Sequence, residues 1–442
     1  MSPEPSPSPL PSPSSPPSAP APRLPTGRYA RIFALAGRGF IPVAFLARLP
    51  LAMLTVGALT LVTSASGSYT IGGLAAAAVG IGSAVGAPVL GYVADRRGQR
   101  PVLLTAAVVN PLFTVLVIYT AYLLPGAPSP AAVLAAAFVM GASCPQVGPL
   151  ARVRWMAMTS RRGTSPAAGD RDLDTAMSYE GTADELSFVL GPALVGLLAA
   201  AVAPWLPLAL AAVLTLSMVT AFALHPTARA VIPANARRTA PEAESPEAPA
   251  GKARADWLLI ALPVLGMVAM GTFFGGTQTS LTAFGGAFGA ASAAGLLYAV
   301  MGLSSAAAAL SVAFWPQRFG QASRWMAAAA VMTVLSVLLL LPRDIPTMLV
   351  ALLILGIPVG PTMVSIFGIG AVVAPRHLMG TVMTMLASGV VTGTALGAAL
   401  AGRLADTHGY TAAFLVAVGA ALALLLLAAA MRWAVAVRRR NA

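Results

Sequence analysis

Charge is the scarcest thing in this sequence. Only 9% of its 442 residues are Asp, Glu, Lys or Arg, against about 25% in a soluble globular chain. Fourteen carboxylates cannot keep a chain that is 57% apolar in water, so the composition belongs to the membrane class. Cysteine is nearly absent: Cys144 stands alone in an apolar stretch, which excludes an intrachain disulfide and a thiolate metal cluster. The three histidines, His225, His377 and His408, fall at the ends of apolar stretches or in loops, which argues against a histidine-based zinc or acid–base site. No Walker-type Gly-Lys motif exists, which excludes ATP hydrolysis by this chain. The net charge of +13 would suit nucleic acid, but the basic residues lie in short clusters between apolar runs, as the positive-inside rule describes. No nucleic-acid partner, cofactor or metal is expected.

What the chain does have is apolar length. About 20 mostly apolar residues cross a bilayer, and twelve stretches qualify: roughly 40–63, 70–94, 101–124, 130–151, 176–201, 205–224, 257–281, 289–314, 325–342, 346–372, 378–401 and 411–433. With the N-terminus in the cytoplasm, 24 of the 27 basic residues lie inside; Arg343 and Arg403 fall outside and Arg48 lies within span 1. Both termini are therefore expected in the cytoplasm, and the protein in the plasma (cytoplasmic) membrane. Residues 1–27, rich in Pro and Ser and without the pattern of a signal peptide, are expected to be a disordered tail. Residues 226–256, polar and Pro-rich, read as a cytoplasmic linker between a bundle at 28–225 and a second at 257–433, with a basic tail at 434–442.

The two halves are weak repeats. "DRRGQR" (95–100) after span 2 corresponds to "QRFGQA" (317–322) after span 8, "CPQVGP" (144–149) to "GIPVGP" (356–361), and "GPALVGLLAA" (191–200) to "GTALGAALAG" (393–402). The expected fold is an all-α integral membrane protein, two six-helix bundles related by a pseudo-two-fold axis, with a site between them.

"GYVADRRGQR" (91–100) resembles the loop between spans 2 and 3 of the major facilitator superfamily, G-x-L-x-D-[RK]-x-G-[RK]-[RK]. Gly91, Asp95, Arg96, Gly98 and Arg100 match; Val93 and Gln99 depart from it. The resemblance covers about residues 40–433. It implies a secondary transporter, not an enzyme, in which this loop latches the two halves in the outward-open state. The residues carry their own physics. Gly91 allows close helix packing and Gly98 a tight turn. Asp95 opposes the dipole of its own helix, so it needs an Arg or a helix N-terminus from the other half. A second "ADxxG", at 405–409, carries Asp406 and Gly409 on the opposite face and reads as a turn capping span 12.

Span 5 holds Glu180 and Asp184 on one helix face, with Glu185 about 100° round from Asp184. Arg48 in span 1 needs a carboxylate, and Asp184–Glu185 lie at matching depth. One reading is a neutral structural bridge. The other counts one Arg against two carboxylates, leaving a surplus acid able to load and release a proton. "SFVLGPALVG" (187–196), with Gly191-Pro192, partly resembles the Gly-Pro element of drug–proton antiporters, whereas the span-4 Arg of many such exporters is absent, Ala137 standing in its place. Pro145, Gly148 and Pro149 in span 4, and Pro358, Gly360 and Pro361 in span 10, mark interrupted, moving helices. Asn110, Gln146, Phe274, Gln278 and Ser365 are candidate cavity residues, mostly neutral, which suits a neutral or amphipathic solute. Proton-coupled export of a small amphipathic compound by a monomer is the leading expectation. Import or uniport of a neutral solute is the alternative. A sensor or membrane enzyme would need a folded soluble domain or surface clusters of acids, His or metal ligands.

Overall fold

In a bilayer every backbone N–H and C=O must bond within the protein, which leaves helices as the way to span for a chain with this periodicity. The computed structural model describes residues 27–441 except 38, 127–128, 161–165, 234, 236–255, 289–293 and 317. The expected N-terminal tail and most of the linker lie outside the described residues. Twelve helices are long and apolar enough to cross a membrane: Phe40–Ser66, Ile71–Arg97, Gln99–Leu123, Ala131–Thr159, Gly169–Ala201 and Leu206–Leu224 in the first half, then Trp257–Ala287, Ala294–Phe314, Gln321–Leu340, Ile345–Val373, Arg376–His408 and Tyr410–Arg438. They are called spans 1 to 12. A short helix, Arg28–Ala36, precedes span 1.

Local chemistry sets the ends. Spans 2 and 11 both stop at a glycine in the left-handed region, Gly98 (φ 95) and Gly409 (φ 82). Gly409 ends span 11, its N–H bonding back to Ala405 at a φ only glycine adopts freely, and also opens span 12, its carbonyl accepting the N–H of Ala413 at 3.3 Å. Asp344 caps span 10 by accepting the N–H of Thr347 at 2.8 Å.

Two expectations about helix breaks need correction. Span 4 does not end at 151. It breaks at Ser143–Gln146 and resumes as Val147–Thr159, and the Gln146 side chain donates to Cys144 O at the break. Span 10 is not interrupted. Pro358 and Pro361 sit inside one continuous helix, Ile345–Val373, because packing on several neighbours holds a long helix through the loss of single bonds.

The packing repeats between the halves. Spans 2 and 4 meet backbone to backbone, where a Cβ at Gly82 or Gly86 would strike Phe138 O or Ala142 O; spans 8 and 10 meet the same way at Gly356 and Gly360, against Met301 O and Ser305 O. Gly191 of span 5 abuts Ala52 of span 1, as Gly393 of span 11 abuts Val268 of span 7. Gly191 therefore serves close packing inside its own half, not the boundary between halves. Small residues at such crossings let dispersion replace the hydrophobic drive that lipid removes.

The halves themselves join mainly toward the face where the 226–256 linker begins and ends. Asp95 bonds the start of span 11, Asp174 of span 5 bonds the start of span 9, and Tyr29 and Arg28 of the short helix bond Leu310 O and Ala313 O of span 8. Nearer mid-depth, Thr182 bonds Ala306 O at 3.0 Å and Ser388 bonds Ala84 O at 3.0 Å.

Gly393→Leu should wedge spans 7 and 11 apart and lower the thermal unfolding midpoint of the detergent-solubilised protein, a loss of about 1–3 kcal/mol or more. Gly419→Leu, at an exposed position where a Cβ would meet nothing within 4 Å, should leave the midpoint unchanged.

Candidate functional site

A guanidinium inside the bilayer must be neutralised within the protein. Arg48, only 3% exposed, is held on every side. Its Nε donates to Ala44 O at 3.1 Å, Nη2 to Glu180 Oε2 at 2.7 Å, and Nη1 to Asp184 Oδ1 at 3.1 Å. Glu180 and Asp184 share the face of span 5 that meets span 1. Glu180 is fully buried, and its Oε1 accepts from the indole of Trp155 at 2.7 Å.

A second arginine completes the cluster. Arg152, in the lower half of span 4, donates from Nη2 to Asp184 Oδ2 at 2.7 Å and lays its guanidinium 3.7 Å from the ring centre of Phe367 in span 10. The cluster thus holds two arginines and two carboxylates, and through Phe367 it touches the other half. Arg48 is therefore not the sole intramembrane arginine, and its partners are Glu180 and Asp184 rather than Asp184 and Glu185. The reason is twofold. Span 4 continues eight residues past its expected end, which brings Arg152 and Arg154 into the protein, and the helical turn of about 100° per residue points Glu185 away from span 1.

Glu185 faces span 8 instead. It is buried, its Oε1 has no hydrogen-bond partner, and no arginine pairs with it among the described residues. Across the seam, a Cβ at Gly302 would press on Val189, one turn further along span 5.

The cluster forms part of the wall of a cavity between the halves, with an empty space of about 660 Å³ that includes open solvent. Spans 1, 4 and 5 contribute Arg48, Gln146, Arg152 and Asp184; spans 7, 10 and 11 contribute Met267, Met363, Phe367, Val390 and Val391. Pro145, Gly148 and Pro149 at the break of span 4 also line it. Of the expected cavity residues Gln146 lies there. Asn110 is buried against span 4, donating to Met140 O at 2.7 Å. Phe274 packs on Phe273 in the core of the second half, Ser365 is buried and bonds Pro361 O, and Gln278 is exposed. On span 7, Phe274 and Gln278 lie about two and three turns along the helix from Met267 at nearly the same phase, so depth keeps them from the cavity.

The loop after span 2 forms a separate site. Asp95 Oδ1 accepts the N–H of Gly380 at 2.8 Å, and Oδ2 accepts the N–H and hydroxyl of Thr381, both at 2.7 Å. The carboxylate thus caps the N-terminal end of span 11, from the opposite half, with charge and dipole matched. Gly91 permits the approach, since a Cβ there would meet Thr384 Oγ1 and Gly380 O. Arg96 lies over the Tyr92 ring, and Arg100 is exposed. Gln99, which departs from the usual basic residue, accepts from Arg154 Nε at 2.9 Å; a cation in its place would face a buried cation. The repeat after span 8 has a matching contact: Gln321 Nε2 and Arg324 Nη1 donate to Asp174 of span 5 at 2.8 and 2.9 Å.

Residues 40–389 and 292–442 each match the profile of the Major Facilitator Superfamily. The chain belongs to that family. Its members are transporters, and this chain is a multi-pass membrane transporter, not an enzyme. No curated protein matches it in sequence. Solved structures share its fold at low identity. The human organic anion transporter MFSD10 (TETRAN) is 20% identical, with a TM-score of 0.63 over 88% of this chain and 98% of that one. A bacterial homologue of the iron transporter ferroportin, in an outward-facing state with soaked iron, is 12% identical, with a TM-score of 0.63 over 89% and 98%. The transporter FucP in the outward conformation is 14% identical, with a TM-score of 0.56 over 88% and 98%. Among the described residues no group of three or more His, Cys, Asp or Glu could hold a metal ion.

Removing one member of a buried ion pair strands the other. Glu180→Ala should therefore cost about 3–5 kcal/mol, read as a lowered unfolding midpoint in detergent, with Trp155 fluorescence shifted by loss of its acceptor. A midpoint equal to wild type would show that the cluster adds nothing to stability.

Proposed function

We propose that this transporter exports a small amphipathic compound in exchange for protons, by alternating access, as a monomer in the plasma (cytoplasmic) membrane with the linker and both termini in the cytoplasm. The observation that carries the coupling is Glu185, buried without a cation in the seam between spans 5 and 8. Burying an ionised carboxylate unpaired is costly. Glu185 therefore takes a proton as the seam closes over it and releases it where the seam opens to water. Asp184, its neighbour in the chain, lines the cavity, so proton and solute act on one turn of span 5. The paired charges of Arg48, Arg152, Glu180 and Asp184 position that turn rather than carry the proton.

With the linker face in the cytoplasm, the conformation is closed to the cytoplasm. Asp95 on span 11 is the latch of this state, and Asp174 with Arg324 is its counterpart in the second repeat. The likeness in fold to transporters described as outward-facing supports this reading. The Gly191-Pro192 element, resembling that of drug–proton antiporters, supports export.

The test is reconstitution in vesicles under an imposed pH gradient, with a panel of lipophilic cations and neutral drugs and a pH-sensitive dye. Wild type should move at least one class uphill as protons run down. Glu185→Gln should keep downhill flux and lose the gradient-driven part; unchanged gradient dependence would remove Glu185 from the coupling. Asp95→Asn should slow transport several-fold with insertion intact, and a rate equal to wild type would sink the latch.

A further inference from the structure

The charge cluster has an asymmetry between its acceptors and its donors. Each of its four carboxylate oxygens already accepts a hydrogen bond: Glu180 from Trp155 and Arg48, Asp184 from Arg48 and Arg152. All three donor nitrogens of Arg48 are engaged as well. Arg152 differs. Its side chain is 1% exposed, one nitrogen is spent on Asp184, and both Nε and Nη1 lack any hydrogen-bond partner. A buried polar group is normally satisfied, and two free donors on one guanidinium in low dielectric call for an acceptor.

Arg152 borders the cavity, and so does Gly148 one turn before it. A Cβ at Gly148 would lie 3.5 Å from Arg152 Nη1 and 3.1 Å from Asp184 Oδ1, so a side chain there would crowd Nη1. Across the cavity stand Met267, Met363, Phe367, Val390 and Val391, a wall with no ionisable group.

Charge decides what fits. Arg48 and Arg152 balance Glu180 and Asp184, so the cluster is neutral. An anion would leave a net charge in low dielectric, which is costly to bury. A cation would likewise leave the cluster with a net charge, of the opposite sign. A neutral acceptor satisfies Nη1 and changes no charge.

We infer that the unpartnered Nη1 of Arg152 is the polar anchor of the transported compound, and that this compound is uncharged, with a carbonyl-type oxygen on an apolar body. The oxygen bonds Arg152 Nη1 while the apolar part lies against Met267, Met363 and Phe367. Arg152 is then a specificity-determining residue. The inference rests on the transporter reading but not on its direction or its proton coupling.

The test uses the full-length protein in detergent, where there is no gradient and coupling plays no part. Three probes share one aromatic body: naphthylacetamide is neutral, naphthylacetate is an anion and naphthylmethylammonium is a cation. Binding is read from the rise in unfolding midpoint as each is titrated. The amide should act at roughly tenfold lower concentration than either ion, the effect of one hydrogen bond to a charged group. Arg152→Lys keeps a cation beside Asp184 but lacks the planar donor edge, and should weaken the amide response by roughly tenfold. Gly148→Val, which crowds Nη1 without altering charge, should weaken it likewise and stands in if Arg152→Lys does not fold. An amide that fails to stabilise the wild type, an ion that acts at lower concentration than the amide, or an unchanged amide response in the variants overturns the inference. Loss of gradient-driven flux alongside an intact, Arg152-dependent amide response would sink the coupling alone.

Discussion

An arginine in the interior of a bilayer protein has to be answered by a carboxylate of the same protein, and much of the first half is arranged around that need. Arg48 brings spans 1 and 5 together through Glu180 and Asp184. Arg152 brings span 4 to the same acid, and the Trp155 indole holds the remaining oxygen of Glu180. Such networks are poor sources of net stability, since desolvation consumes most of the Coulombic gain. What they supply is register: three helices are pinned at one depth. The second half has no equivalent along its cavity wall, and there Met and Phe side chains make an adaptable apolar surface.

The two acids that join the halves at the linker face use unlike chemistry for the same end. Asp95 binds backbone amides and a hydroxyl at a helix start, whereas Asp174 binds a guanidinium and a side-chain amide. Both carboxylates belong to the first half, and the second half supplies the donors. The repeats have therefore kept the position of the contact while exchanging which partner carries the charge. The motif at 95–100 and the eroded one at 317–322 are equivalent in place. The stretch at 402–409 shares with the first only the glycine that ends its helix.

Much of the architecture was legible in the residues. Apolar length set the twelve spans, and Gly191 marked a crossing that repeats at Gly393 in the second half. Asp95 was legible as an acid needing a helix start or an arginine, because a lone carboxylate among arginines at a helix C-terminus has no local reason to be there. The site was less so. "ARVRW" reads as the basic end of a span, and a hydropathy window stops at the first arginine. The signal that could have carried span 4 further is the spacing of Gly148, Arg152 and Trp155, which places all three near one helix face. Gln278 and Asn110 were misplaced because polarity says a side chain needs a partner, not where it points. Asn110 found Met140 O, and Gln278 found the surface.

The backbone contacts between spans 7 and 11, and between spans 8 and 10, bear on mechanics as much as on stability. Helices that touch through Gly271, Gly275, Gly393 and Gly397 have no long side chains between them to tilt or repack. They cannot slide without breaking contact along a whole seam. Each half is consequently stiff, and a stiff body pivoting near mid-depth acts as a lever. A displacement at the cavity as small as one bond length grows with distance from the pivot. At the ends of the spans it becomes an opening wide enough for a solute, and no helix need bend to make it.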